Sequence, residues 1–130
     1  MSAVSLKYQR RQGRWMPIVP VELRTSTTSF HTEAYVDSGA FWSLFTMDIA
    51  RALKLNPRDG KPRWVMIGDG RPIKVFLFKL IVEVAGRSFP ADVGFSEQLR
   101  VGFNLIGRKS VFERFDEVVF RERQHELDFR

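Results

Sequence analysis

The sequence predicts an all-β domain carrying one or two short helices, arranged as a small closed or partly closed barrel. Three observations lead there. Val19, Val21 and Leu23 alternate with Pro20, Glu22 and Arg24, which is the period of two of a half-buried strand. The dipeptide Asp69-Gly70 separates two apolar runs, a strong signal for a tight hairpin. Helical spacing with a start signal covers only a short stretch after Thr46. The 130 residues are 44% apolar and 28% charged, with 12 Phe and 3 Trp, enough for one core and against a disordered chain.

The elements follow in chain order. Lys7, Arg10, Arg11 and Arg14 precede the first acid, Glu22, so residues 1–14 read as a basic, solvated and mobile arm before a single domain over 15–130. The first strand covers residues 19–24, a polar turn 25–29, and a return strand 31–36 runs directly into Asp37-Ser38-Gly39. Thr46 is placed to cap a helix, with Asp48 in its first turn, Ile49 and Leu53 on one face, and Asn56-Pro57 to stop it. Residues 64–67 and 73–78 pair across Gly68-Asp69-Gly70, where Asp-Gly suits a two-residue type I′ turn. The second of these strands continues to about residue 84, turns near Gly86-Arg87 and returns through 89–95. Beyond the polar stretch 96–100 come Asn104-Leu105-Ile106-Gly107-Arg108 and a short helix over 109–114. Two strand-like pieces, 115–120 and 125–129, flank the charged turn 121–124; alone they would be exposed edges, and pairing with a second copy of the chain is expected to cover them.

Composition narrows the function classes. The absence of cysteine removes disulfides and thiolate metal sites. His31 and His125 are isolated, without a clustered acid, so no metal site and no cofactor is expected. The amino terminus has no apolar run of a signal peptide, and residues 75–85 are too short and too charged, with Lys79 and Glu83, to span a bilayer. A soluble, cytoplasmic protein without a membrane partner is the expectation. The net charge of +6 is compatible with an anionic partner. However, the arm lacks the aromatic interleaving of a single-strand-binding face, so nucleic acid is not expected.

The chemistry-bearing feature is Ala34-Tyr35-Val36-Asp37-Ser38-Gly39-Ala40. As a lone triplet, Asp-Ser-Gly is most often just a turn. Its context is more specific. An apolar strand precedes it and Ala40 follows; the glycine-bearing tip Gly68-Asp69-Gly70 comes next, then Leu105-Ile106-Gly107-Arg108. This order resembles the retropepsin family of aspartic peptidases and its single-lobe cellular relatives, over about residues 17–120. The resemblance implies the acid-protease fold of one lobe, a retropepsin-like closed barrel.

The resemblance also implies roles. Asp37 would be the catalytic carboxylate, with Ser38, Gly39 and Ala40 forming its loop. Ser38 hydroxyls would meet across a two-fold axis, and Gly39 would let the backbone approach the substrate. Ile67, Gly68, Asp69 and Gly70 would be a flap over a polypeptide held in extended form. Leu105, Ile106, Gly107 and Arg108 would support the loop from beneath. Two carboxylates sharing one proton can activate water and protonate the carbonyl together. Asp59-Gly60 and Asp69-Gly70 lack the intervening hydroxyl residue, so one chain offers one such Asp and a homodimer would supply the second. The sequence departs from viral members at Phe41 and Trp42, where an acid is common, and at Lys109. Those aromatics either line an apolar substrate pocket or pack in the core.

Other readings carry less. Ser38 lacks the Gly-x-Ser-x-Gly elbow of a serine nucleophile. Asp69 reads first as a turn former. A retropepsin-fold binding or dimerisation module with little peptidase activity is the alternative function, and a basic barrel for single-stranded nucleic acid is a more distant one.

Overall fold

The structure, a computed structural model, describes residues 3–130. Its strands are β1 (Val4–Lys7), β2 (Gln9–Arg11), β3 (Arg14–Met16), β4 (Ile18–Arg24), β5 (Ser29–Val36), β6 (Leu44–Thr46), β7 (Lys61–Met66), β8 (Pro72–Val84), β9 (Arg87–Ser96), β10 (Asn104–Ile106), β11 (Val118–Arg121) and β12 (Glu126–Phe129), with one short helix, α1 (Met47–Ala52). No helix among the described residues is long and apolar enough to cross a membrane.

The alternation at Val19, Val21 and Leu23 does what its period requires. All three side chains are buried, Pro20 between them is exposed, and β4 pairs antiparallel with β5 from Ile18 opposite Tyr35 to Arg24 opposite Ser29. The Thr25 hydroxyl closes the connecting turn by accepting the N–H groups of Thr27 and Thr28 at 3.2 and 3.1 Å. Strand order in the main sheet is β4-β5-β10-β6-β9-β8-β7, and β4 also pairs with β8, so the ladder returns on itself and leaves β7 as the outer strand. Phe45, Phe95, Leu23, Ile106 and Val93 fill the interior, with the Phe45 and Phe95 rings 6.2 Å apart. Each such side chain contributes about 1.5–3 kcal/mol on burial.

Thr46 stands at the N-cap of α1 in extended conformation, but its side chain makes no capping bond. Its backbone N–H instead donates to Asn104 Oδ1 at 3.2 Å, while Asn104 Nδ2 donates to the Glu33 carbonyl at 2.9 Å. One amide thereby joins β5, β6 and β10. Asn56, expected as a stop, also starts the following turn of 3₁₀ helix by accepting the Arg58 N–H at 3.0 Å.

The type I′ turn falls elsewhere than the sequence suggested. At Gly68-Asp69-Gly70 only Gly70 has positive φ, at +83°, and its N–H donates to the Ile67 carbonyl at 2.9 Å. That is a three-residue connection with glycine in the left-handed position. The two-residue turn with both φ positive is Ala85-Gly86, between paired Val84 and Arg87. Asp-Gly tolerates either geometry, and the pairing of Met66 with Pro72 selects the longer one.

The terminal segments form a three-stranded sheet in the order β1-β12-β11. Residues 126–129 are therefore not an exposed edge: β12 is hydrogen bonded on both sides, with Leu127 and Phe129 buried beneath it. Lys7, Arg10, Arg11 and Arg14, grouped by the sequence in an arm, lie on β1, β2 and β3, each of which is paired. Tyr8 is buried between them; its hydroxyl donates to Glu122 at 3.0 Å, and burial above all pushes its pKa up to about 12. Asp128 is buried too. It accepts the Ser5 hydroxyl at 2.7 Å, Arg121 at 2.7 Å and Arg130 at 3.1 Å. The Ser5 hydroxyl first, and then the two guanidinium groups, hold its carboxyl below the usual carboxylate range.

Candidate active site

Strand β5 ends at the candidate carboxylate. Ala34 and Val36 point into the core, and the next residue, Asp37, leaves the strand half-buried. Its N–H donates to the Ile106 carbonyl at 3.0 Å, carrying the parallel β5–β10 ladder one step beyond the Val36–Ile106 pair. Asp37 Oδ1 accepts the Gly39 N–H at 2.9 Å, and its carbonyl accepts the Ala40 N–H at 3.1 Å. The carboxylate is thus oriented by its own loop, in the manner of an Asx turn. Ser38 and Gly39 are exposed at the tip.

A second segment holds this loop from the side. Arg108 N–H donates to the Ala40 carbonyl at 3.0 Å and Lys109 N–H to the Phe41 carbonyl at 2.9 Å. Gly107 N–H donates to the buried Ser43 hydroxyl at 3.0 Å. Gly107 is required by this close approach, because a Cβ there would stand 2.7 Å from the carbonyl oxygens of Ala40 and Trp42 and 3.0 Å from that of Phe41. The structure thereby brings Leu105-Ile106-Gly107-Arg108 against Asp37-Ser38-Gly39-Ala40. Ser43 was not singled out by the sequence. Nothing marks a serine in that position as a buried acceptor until the fold places Gly107 beside it.

The hairpin tip lies over a separate apolar cluster. Val65, Ile67, Ile73 and Val75 from β7, the tip and β8 pack with Leu44 and Leu105, with Tyr35 and Trp42 against them. Ile67 is buried, while Gly68, Asp69 and Gly70 are exposed. Asp69 accepts the backbone N–H of Arg71 at 2.9 Å and its Nε at 2.6 Å; the backbone bond first, then the guanidinium, holds its carboxyl low. Its position is that of a turn former. Tyr35 stacks on Phe103 with centroids 4.8 Å apart, and burial, aided by the Asp37 charge, raises its pKa.

The two aromatic departures divide. Phe41 is half exposed, with the Arg108 guanidinium 5.7 Å from its ring, whereas Trp42 is partly buried and meets Phe41 edge-on at 5.2 Å. Neither histidine is engaged with Ser38. His31 lies 3.0 Å from Glu22, and His125 stacks on Trp15 at 4.8 Å.

No family model matches the chain, and no curated protein matches it. Among solved structures, it is similar to the crystal structure of a retropepsin-like aspartic protease from Rickettsia conorii. The TM-score is 0.69 at 18% identity, over 96% of this chain and 98% of that one. A likeness at that identity speaks for the fold, and the all-β chain with its one short helix has the retropepsin-like, single-lobe fold.

Proposed function

We propose that the chain is one subunit of a homodimeric aspartic endopeptidase in which Asp37 and its counterpart from a second copy activate a water. The observation that carries this reading is the Asp37 loop: a partly exposed carboxylate, oriented by the Gly39 N–H and held by the segment 106–109. The likeness in fold to a retropepsin-like aspartic protease supports it.

Two carboxylates brought together cannot both ionise near neutrality, so they share a proton and titrate as a pair. The ionised member takes a proton from water as its oxygen bonds to the scissile carbonyl carbon. The protonated member donates to the carbonyl oxygen. Collapse of the tetrahedral intermediate then passes a proton to the leaving nitrogen as the C–N bond breaks, and the shared proton is restored. The Ser38 hydroxyls would join the two loops across the axis. The hairpin tip Ile67–Gly70 would cover an extended peptide bound by main-chain hydrogen bonds.

Sedimentation at micromolar concentration, paired with cleavage of an unstructured protein across about pH 4 to 7 with and without a pepstatin-like inhibitor, tests the reading. A dimer with inhibitor-sensitive cleavage is expected. A monomer that cleaves peptides would refute the shared pair.

The flap role has its own measurement. Gly70 sits at φ +83° with open space around a hypothetical Cβ, so Gly70→Val acts through backbone strain alone. Left-handed conformation costs an L-residue about 1–2 kcal/mol, and more for a β-branched one. Turnover is expected to fall about tenfold if that cost falls on the closed tip, with little change in dimerisation. Wild-type turnover in the variant would remove the tip from the mechanism.

A further inference from the structure

We infer that the surface around Trp42, in the loop that follows Asp37, selects substrates carrying an acidic side chain near the scissile bond, and that Arg63 and Lys109 read it; this rests on the peptidase reading above. Three chain segments converge on one indole. Trp42 belongs to the same loop as Asp37, Arg63 lies on β7 below the hairpin tip, and Lys109 follows β10. The Arg63 guanidinium stands 5.0 Å from the Trp42 ring centroid and Lys109 Nζ 5.9 Å from it. Lys109 is moreover joined to the loop through its N–H on the Phe41 carbonyl.

Neither Arg63 nor Lys109 has a carboxylate partner among the described residues; each stands against the Trp42 ring. An aromatic face positions a cation but does not neutralise it, and leaves the N–H donors of guanidinium and ammonium free. Two like charges gathered at one indole repel each other, and a carboxylate arriving beside either relieves that repulsion while accepting its free donors. The position beside the Asp37 loop makes an acidic substrate side chain the anion that fits. The net charge of +6 favours its approach from a distance.

The test uses the full-length protein and matched extended peptides that differ at one position near the cleaved bond, as Asp, Asn or Lys. Wild type should cleave the Asp peptide with kcat/KM about tenfold above the Asn peptide, and the Lys peptide worst, with the difference carried by KM. Arg63→Gln and Lys109→Gln should each reduce the Asp-to-Asn ratio and together bring it near unity. Added salt should erode the wild-type ratio. Lys79→Gln, which alters an exposed cation of β8 opposite Asp92, should leave it intact. Equal cleavage of the Asp and Asn peptides by wild type, a ratio that survives the double variant, or an equal loss in Lys79→Gln overturns the inference while the peptidase reading stands. Failure to cleave any of the peptides would count against both.

Discussion

Asp37→Asn is expected to leave the fold and the dimer in place and to lower peptide cleavage by about 10²–10⁴-fold, the usual worth of a general acid–base group. The amide matches the carboxylate in size. Its oxygen can still accept the Gly39 N–H, so the loop that presents it keeps its internal bond. The amide can neither take a proton from water nor share one with its counterpart. Thermal midpoint and sedimentation should therefore match wild type while the cleavage rate falls. Cleavage at the wild-type rate would leave the mechanism without its base, and a collapsed midpoint would make the residue structural instead.

Gly107→Ala should produce the largest loss of stability of any single methyl addition at the site. The new Cβ would meet three carbonyl oxygens of the Asp37 loop at 2.7, 2.7 and 3.0 Å, and these belong to backbone that cannot rotate away. Either the loop retreats or the 106–109 segment does. Both routes stretch the Gly107–Ser43 bond and the backbone bonds from Arg108 and Lys109. Overpacking alone costs about 1–3 kcal/mol, and each buried polar group left unpaired adds about 1–3 kcal/mol. A loss of about 3 kcal/mol or more is expected in denaturant titration, with cleavage lost even at temperatures where the variant is folded. Gly68→Ala is the matched control. It meets nothing within 4 Å and lacks positive φ, so it should stay within about 0.5 kcal/mol of wild type.

What the sequence made legible was local. The alternation at Val19, Val21 and Leu23 gave β4 because one face is buried along its whole length. The order of the Asp37 and Gly107 segments pointed to the fold because both are short and carry glycines that tolerate few substitutes. The rest depended on partners far along the chain. The type I′ turn was read at Asp69-Gly70, although Ala85-Gly86 adopts it, because strand register decides turn length and dipeptides do not carry register. Residues 125–129, expected to need a second copy to cover their edge, are paired within the chain because β1, with apolar Val4 and Leu6 alternating with polar Ser5 and Lys7, lies beside them. Asn104 joins β5, β6 and β10, and Ser43 ties its own loop to Gly107, each through a single side chain that no spacing rule marks.

The terminal sheet also sets an order of events in folding. Ser5 bonds to Asp128 across 123 positions, so the loop closed by the β1–β12 pairing is nearly the whole chain. Closing so long a loop carries a high entropic cost, and rates fall as contacting residues lie farther apart in sequence. The β4–β5 and β8–β9 hairpins need only local closure and can form while the polypeptide is still being made. Strand β1, although made before the other described strands, waits without its β12 partner until Glu126–Phe129 has emerged. Strand β1, which precedes the other described strands in the chain, is thus among the last of them to find its place, and the terminal sheet is complete only once β12 has been made.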